Sequence, residues 1–525
     1  MKTLYFGGPI LTMAQPLYVP ALLTEGDTIL AAGTKEELSA MAPDAALVDL
    51  QGRTLMPAFI DPHSHFAQVA FSLLRAPLDG AASPEEMGSR IRAFIKERNI
   101  QPGQWVIARD YDNNRLPGAK NPTLAQLDAM CPENPLMIHH KSGHMGLVNS
   151  RGLDALGLTP ESPVPAGGHM EVVDGRLTGY MEENAFFTAM QGVPPVDMAD
   201  LEQALVKAQE KYASYGITTV QEGLIVGQML PIYQLLSAKK LLKLDVVLYA
   251  SPDSYEQAEQ LLQTPGFDKH IHLGGVKVLL DGSPQGRTAW MRQPYAGSDD
   301  YCAYGTMTDE ALTDAFVFAG QHNTQLLGHC NGDGAAEQYL RCLAKAEETV
   351  PQLKNLRPVI IHGQLMGRDQ IPRAKELGAM ISFFVAHVYH WGDVHIKNFG
   401  MERASHISAA KTALTCGVPF TFHQDAPVIE PDMLETIWCA VNRQTRDGVD
   451  LGRADEGVST LDALHALTST AAWQYSAEDS LGTLEAGKKA DLVVLSENPL
   501  DTPDDCLRDI QVLATFKNGA CIYHK

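Results

Sequence analysis

Between residues 54 and 422 short apolar runs alternate with amphipathic stretches, and this alternation restricts the fold more than any other feature of the chain. Eight runs read as β-strands: Thr54–Ile60, Ile217–Gln221, Leu244–Ala250, Gly275–Leu280, Thr324–Gly328, Pro358–Ile361, Met380–Val385 and Phe420–Phe422. Strands separated by helices pair in parallel, because a crossover helix returns the chain to the same edge. Eight is the number that closes a (β/α)8 barrel. The predicted fold class is therefore α/β, a TIM-like barrel.

Two helices carry explicit boundary signals. Ser83-Pro84-Glu85-Glu86 reads as a capping box ahead of a stripe of Met87, Ile91, Phe94 and Ile95. A second helix begins near Asp197, places Leu201, Leu205, Ala208 and Tyr212 on one face, and stops at Gly216. About 150 residues separate the first and second strand runs, too many for a single βα unit. We expect an inserted subdomain at about 70–200, after barrel strand 1, containing Pro135–His140 and several helices. The chain ends share another texture, with short strands broken by Gly, Asp and Pro, as in Asp27–Gly33, Ala490–Leu495 and Val512–Phe516. Residues 1–54 and 476–525 are expected to form one small β-sandwich domain, with the barrel spanning 55–475.

Composition narrows the partners. With 45% apolar and 20% charged residues the chain is globular. Its 41 Lys and Arg against 63 Asp and Glu give a net charge of −22, spread without an acidic tail, which repels nucleic acid and anionic membranes. No run is long and apolar enough for a bilayer span, and the N-terminus lacks a signal-peptide core. Eight cysteines without a CxxC pair read as free thiols in a reducing cytoplasm. A small-molecule substrate is the expected partner.

In a barrel the βα loops converge at the C-terminal ends of the strands, so the residues closing each run carry the chemistry. The first run ends in Asp61-Pro62-His63-Ser64-His65, and period two puts both histidines on one side. Such a pair can chelate a divalent metal, whereas a lone histidine is more often structural. Alternation turns Lys277 into the barrel, with Asp281 on the same face. A buried ammonium needs a partner or a shifted pKa. The segment alone favours an ion pair with a carboxylate; a neutral amine can instead take up carbon dioxide as a carbamate that bridges two cations. The fifth and sixth runs end in His329 and His362, and the eighth leads to Thr421, His423 and Asp425 on one face. Six polar residues from five strands thus converge at the catalytic end.

This pattern resembles the amidohydrolase superfamily, whose metal-binding set His63-x-His65, Lys277, His329, His362 and Asp425 match in order. Supporting segments include Ser142-Gly143-His144, Gly216–Val220, Asp281-Gly282-Ser283, Asp425-Ala426-Pro427-Val428 and Gly482–Val493. Together they are similar to the YtcJ-like branch of amidohydrolase family 3 over essentially the whole chain. The sequence departs from that pattern at Ala58, at His423-Gln424, where Gly-Ser is common, and at Gly334 in place of a basic residue.

The resemblance implies hydrolysis of amide or other non-peptide C–N bonds by a metal-bound hydroxide. It implies two zinc ions per chain, with manganese, iron or nickel as alternatives: one on His63, His65 and Asp425, the other on His329 and His362, bridged by carboxylated Lys277. Asp425 and Lys277 are the expected catalytic residues, Asp425 as the proton shuttle. His144, Glu183 and His387 are candidate substrate contacts, and a homodimer is a family-level expectation. A mononuclear deaminase would use His63, His65, His329 and Asp425, but the glutamate such sites place close to the strand-five histidine is missing from Cys330-Asn331-Gly332-Asp333. A regulatory protein that has lost catalysis fits poorly with retention of all six ligands. No GxGxxG after a strand, GxxxxGK, HExxH or GxSxG motif occurs, and Ser237-Ala238-Lys239-Lys240 matches SxxK only nominally.

Overall fold

The computed structural model describes residues 1–141 and 144–525. The chain divides into two compact units, Met1–Gln68 with Ala208–Lys525, and Val69–Lys207. The first contains an eight-stranded parallel sheet curled as a barrel: β1 (Phe59–Ile60), β2 (Ile217–Ile225), β3 (Asp245–Ala250), β4 (Ile271–Leu279), β5 (Gln325–Cys330), β6 (Val359–His362), β7 (Met380–Phe383) and β8 (Phe420–Phe422). Each strand pairs in parallel with the next. β1 and β8 meet beyond their ends, where the His65 N–H donates to the Ala426 carbonyl at 2.8 Å. The strands read as nearly continuous apolar runs because both sheet faces are covered. Val247, Tyr249, Leu327, Val359, Ile361 and Met380 pack together as one buried cluster.

Sequence and structure differ at the first run. Thr54–Pro57 pairs with Leu492–Leu495 and touches Lys2–Leu11 at Ile10, so it belongs to the sheet of the chain ends. Only Phe59–Ile60 enters the barrel. Ala58 lies between, its N–H donating to the Asp491 carbonyl. An unbroken apolar run conceals this change of sheet, since each half is buried. The capping box at Ser83 is also only half formed. Ser83 accepts from the Glu86 N–H, but the Glu86 carboxylate accepts from Ala82.

The terminal sheet runs Ala520–His524, Val512–Lys517, Leu492–Leu495, Thr54–Pro57, Lys2–Leu11, Tyr18–Glu25, Thr28–Gly33, with Ala46–Asp49 also on Lys2–Leu11. Strands from both chain ends thus share one sheet, within the same compact unit as the barrel. The Val69–Lys207 unit has its own six-stranded sheet, in the order Gly168–Val173, Arg176–Glu182, Met145–Val148, Leu136–His140, Val106–Tyr111, Ala76–Pro77. No helix among the described residues is long and apolar enough to cross a membrane, and all eight cysteines are free.

One buried ionic cluster fastens the terminal sheet to the barrel. Lys517 Nζ lies 2.5 Å from Asp245 Oδ2 and 2.6 Å from Asp491 Oδ2, and His270 Nδ1 lies 2.7 Å from Asp245 Oδ1. Burial alone would raise the Asp245 carboxyl; His270, Lys517 and Lys489 outweigh it and hold the group well below the usual carboxylate range. Removing the cation strands two buried carboxylates, so Lys517→Met should lower unfolding free energy by about 3–5 kcal/mol in chemical denaturation near neutral pH. Because the folded value of Asp245 lies below its unfolded value of about 4, its stabilisation is complete above that pH and is lost as acid approaches the folded value. Stability of the parent chain should therefore fall below about pH 5, and the Lys517→Met profile should be flatter.

Candidate metal centre

The residues after β1 lie along β2. Asp61 N–H donates to the Thr219 carbonyl, and Gly223 N–H to the Ser64 carbonyl. This brings the His63 and His65 rings over Gly223, where an added Cβ would stand 2.6 Å from His63 Cε1 and 3.1 Å from His65 Cε1. Only a residue without a side chain admits both imidazoles.

Across the mouth stands Asp425. Its Oδ1 lies 3.4 Å from His63 Nε2 and 3.5 Å from His65 Nε2. The three side chains form a group whose ligand atoms all lie within 4.8 Å of one another. Asp425 Oδ1 is buried yet has no hydrogen-bond partner among the described residues. Nitrogen and oxygen ligands about 2.1 Å from a tetrahedral cation stand roughly 3.4 Å apart. The spacing and the unsatisfied oxygen therefore fit a divalent cation at this point.

The other predicted ligands border the same group. Lys277, on β4 and 2% exposed, places Nζ 3.3 Å from His63 Nε2. Among the described residues it makes no ion pair with a carboxylate, so the pairing favoured by its sequence segment is absent. Burial lowers its amine to about 8, within reach of the neutral form. His362 Nε2 lies 4.0 Å from Asp425 Oδ2, and the His329 and His362 rings are 4.6 Å apart. Alternation would turn His362 away from Val359 and Ile361; a left-handed backbone, φ 75°, redirects it. Asp425 is also left-handed, φ 53°. Strained non-glycine residues of this kind are characteristic of functional sites.

Residues behind the imidazoles fix which nitrogen faces the centre. Gln221 Nε2 donates to the Pro62 carbonyl and the Tyr475 hydroxyl, so its Oε1 is left to accept from His63 Nδ1 at 2.5 Å. His63 Nε2 then presents its lone pair inward. His362 Nδ1 lies 3.1 Å from His423 Nε2, and His423 Nδ1 lies 2.8 Å from Ser382 Oγ. A donor chain from His362 through His423 to Ser382 leaves His362 Nε2 unprotonated. His329 Nδ1 lies 3.2 Å from Asp281 Oδ1, and the Asp281 carboxylate also accepts the N–H groups of Trp290, Asn331 and Gly332. Glu222, its Oε2 engaged by Ala67 N–H and Tyr233, aims Oε1 at His65 Nδ1 from 3.6 Å.

Burial pushes His63, His362 and His423 well below the usual histidine value, which keeps them neutral as ligation requires. Burial acts in the same direction on His65, but Glu222 and Asp425 outweigh it, and its net shift is upward.

Sequence inspection missed Gln221, Glu222 and Ser382, and treated Asp281 and His423 only as members of motifs. Gln221 closes its predicted run, so the rule that found His329 could have found it. Glu222 was hidden because β2 continues to Ile225.

The three candidate substrate residues fall in both units. His144 and Glu183 belong to the Val69–Lys207 unit and pair with each other, Nδ1 to Oε2 at 3.1 Å, both exposed. Ser142 and Gly143, from the same motif, lie outside the described residues. His387 is buried at the start of helix His387–Ala404, its Nδ1 3.1 Å from His395 Nε2 and its ring 4.5 Å from both Phe384 and Trp391.

Comparison with known proteins agrees with this architecture. An N-substituted formamide deformylase from Arthrobacter pascens is 27% identical, over 96% of this chain and 95% of its own. Solved structures of uncharacterized metal-dependent hydrolases from Pyrococcus furiosus and Pyrococcus horikoshii OT3 superpose with TM-scores of 0.77 and 0.79, at 26% and 25% identity. They cover 95% and 96% of this chain and 100% and 99% of theirs. A model of the amidohydrolase family, Amidohydro_3, matches residues 46–523, and the chain belongs to that family.

Proposed function

We propose that this chain is a metal-dependent hydrolase that cleaves amide or other non-peptide C–N bonds of a small molecule. One observation carries the reading: the partnerless Asp425 Oδ1 faces two imidazole Nε2 atoms at ligand-to-ligand spacing. His63, His65 and Asp425 would hold one cation, and His329 and His362 a second, with Lys277 as its carbamate between them. Bound divalent cations supply Lewis-acid polarisation of a carbonyl and acidify water, and zinc suits these nitrogen and oxygen donors.

Asp425 does the proton work. It lies at the mouth, partly open to solvent, beside His65 and beside His63, whose Nε2 faces it without a proton. Its carboxylate accepts the proton released as water attacks the carbonyl and returns it to the departing nitrogen, which leaves as an amine. Water's oxygen becomes part of the acid, so the step balances as hydrolysis. Lys277, held at about 8 by burial, offers the neutral amine that carbamate formation consumes. The formamide deformylase similarity makes N-substituted formamides the first substrates to assay.

A one-cation centre is the second reading. Among the described residues only His63, His65 and Asp425 converge as a close group of three. Metal analysis of purified protein decides between the two, with two equivalents expected.

Asp425→Asn should lower kcat on an N-substituted formamide by at least about a hundredfold, within the range for removal of a general acid–base. Parent-like turnover would remove Asp425 from the mechanism. Lys277→Ala should lose activity and regain part of it with millimolar short-chain carboxylic acids, which can stand in for the bridge. Gln221→Leu should weaken zinc binding by about 10–100-fold, read by competition with a chelating dye, while circular dichroism stays unchanged. Unaltered affinity would show that Gln221 does not orient His63.

A further inference from the structure

The Val69–Lys207 unit carries a positively charged group that the chemistry above does not use. Its sheet separates two apolar clusters. Ala76, Val106, Ala108, Leu136 and Ile138 face one, while Met137, Ile107 and Trp105 face the other. Side chains alternate along a strand, so Arg109 and His139 emerge on the second side, and Arg75 adjoins Ala76 at the start of the next strand. The parallel register Pro77↔Arg109 and Ala108↔Ile138 sets Arg109 and His139 level on neighbouring strands, and Arg75 immediately precedes the strand Ala76–Pro77 beside them. The ladder is irregular between Ala108 and Tyr111, and Asp110 there is left-handed, φ 65°. Such irregularities re-aim side chains and recur at binding sites.

The Ser72 carbonyl ties the two arginines together. It accepts the Arg75 backbone N–H at 3.2 Å and Arg109 Nε at 3.3 Å. Arg109 also pairs with Asp110, its sequence neighbour. The Arg75 guanidinium, half-buried, has no hydrogen-bond or ion-pair partner among the described residues. The Arg109 guanidinium acts against its charge and Arg75 acts against that of His139, while the Asp110 carboxylate, hydrogen-bonded to Arg109, opposes the crowding only in part.

We infer that Arg75, Arg109 and His139 form a carboxylate-binding site on the sheet of the Val69–Lys207 unit. A planar guanidinium matches a carboxylate with two parallel N–H donors, and the Arg75 fork is uncommitted. In an otherwise acidic chain, partly buried like charges repel unless an anion lies between them. The same crowding shows in the basicities. Burial and then Arg109 lower Arg75, and burial and then Arg75 hold His139 at about 4. Phe186, its ring 5.1 Å from His139, gives the site an apolar side. The ligand is a small carboxylate, supplied either as a free acid or as the carboxylate of an N-acyl amino acid.

The test uses the full chain, calorimetry and thermal unfolding at constant ionic strength. Acetate represents the free acid and N-acetylglycine the acyl amino acid. Either should bind and raise the unfolding midpoint above that in an equal concentration of chloride. Binding by both, or by one alone, that the Arg75 variants weaken supports the site and identifies the source. Arg75→Met and Arg75→Gln should each weaken binding at least tenfold. Without ligand their midpoints should equal or exceed the parent's, since a repulsive charge has gone. His63→Ala should bind both carboxylates as the parent does, so failure of the hydrolase reading would leave this result standing. Equal affinity in the Arg75 variants, no advantage over chloride, or a lowered ligand-free midpoint in both variants overturns the proposal.

Discussion

A curled parallel sheet gathers every strand's carboxyl end at one rim, and the functional reading of this chain depends on that polarity. His63 and Asp425 are 362 positions apart in sequence (425 − 63), yet a few ångströms separate their side chains. The joint between the first and last strands is what brings them there. The His65 N–H donates to the Ala426 carbonyl, so a metal-ligand candidate and the neighbour of another share one backbone hydrogen bond. Gly223 beneath the two imidazoles is the steric counterpart of this joint.

Around the convergence the chain invests in orientation. A free imidazole can protonate either nitrogen, and only one tautomer offers its lone pair to the centre. Gln221, His423 with Ser382, and Asp281 each fix that choice from outside, and each is anchored by further hydrogen bonds. The cost is visible in the backbone. His362 and Asp425 adopt left-handed conformations that their side chains disfavour, and the surrounding ladder holds them there.

Much of this was legible from residue pattern. The apolar runs located the barrel because parallel strands covered on both faces lose their polar alternation. The same uniformity hid the change of sheet at Ala58, where both flanking halves are buried. His63, His65, His329, His362 and Asp425 stand out in the sequence because each follows its run at the rim. Period-two alternation failed at His362, since it assumes a right-handed extended backbone that this residue does not keep. The second layer was harder. A glutamine or serine inside a strand reads as a tolerated polar residue until a partner from a distant strand is seen beside it. His144 and Glu183 show another limit, for residues assigned separately to a substrate are here hydrogen-bonded to each other.

The sheet built from both chain ends has a consequence for biosynthesis. Leu55 pairs with Val494, so this ladder cannot form until the ribosome has passed residue 494. An early hydrophobic strand, touched only at Ile10 by Lys2–Leu11, must wait for its second partner while the barrel is synthesised. Such long-range pairing slows folding and leaves a sticky edge open in the nascent chain. Thr54–Pro57, fully buried in the folded chain, is therefore a segment that chaperones would have to shield early.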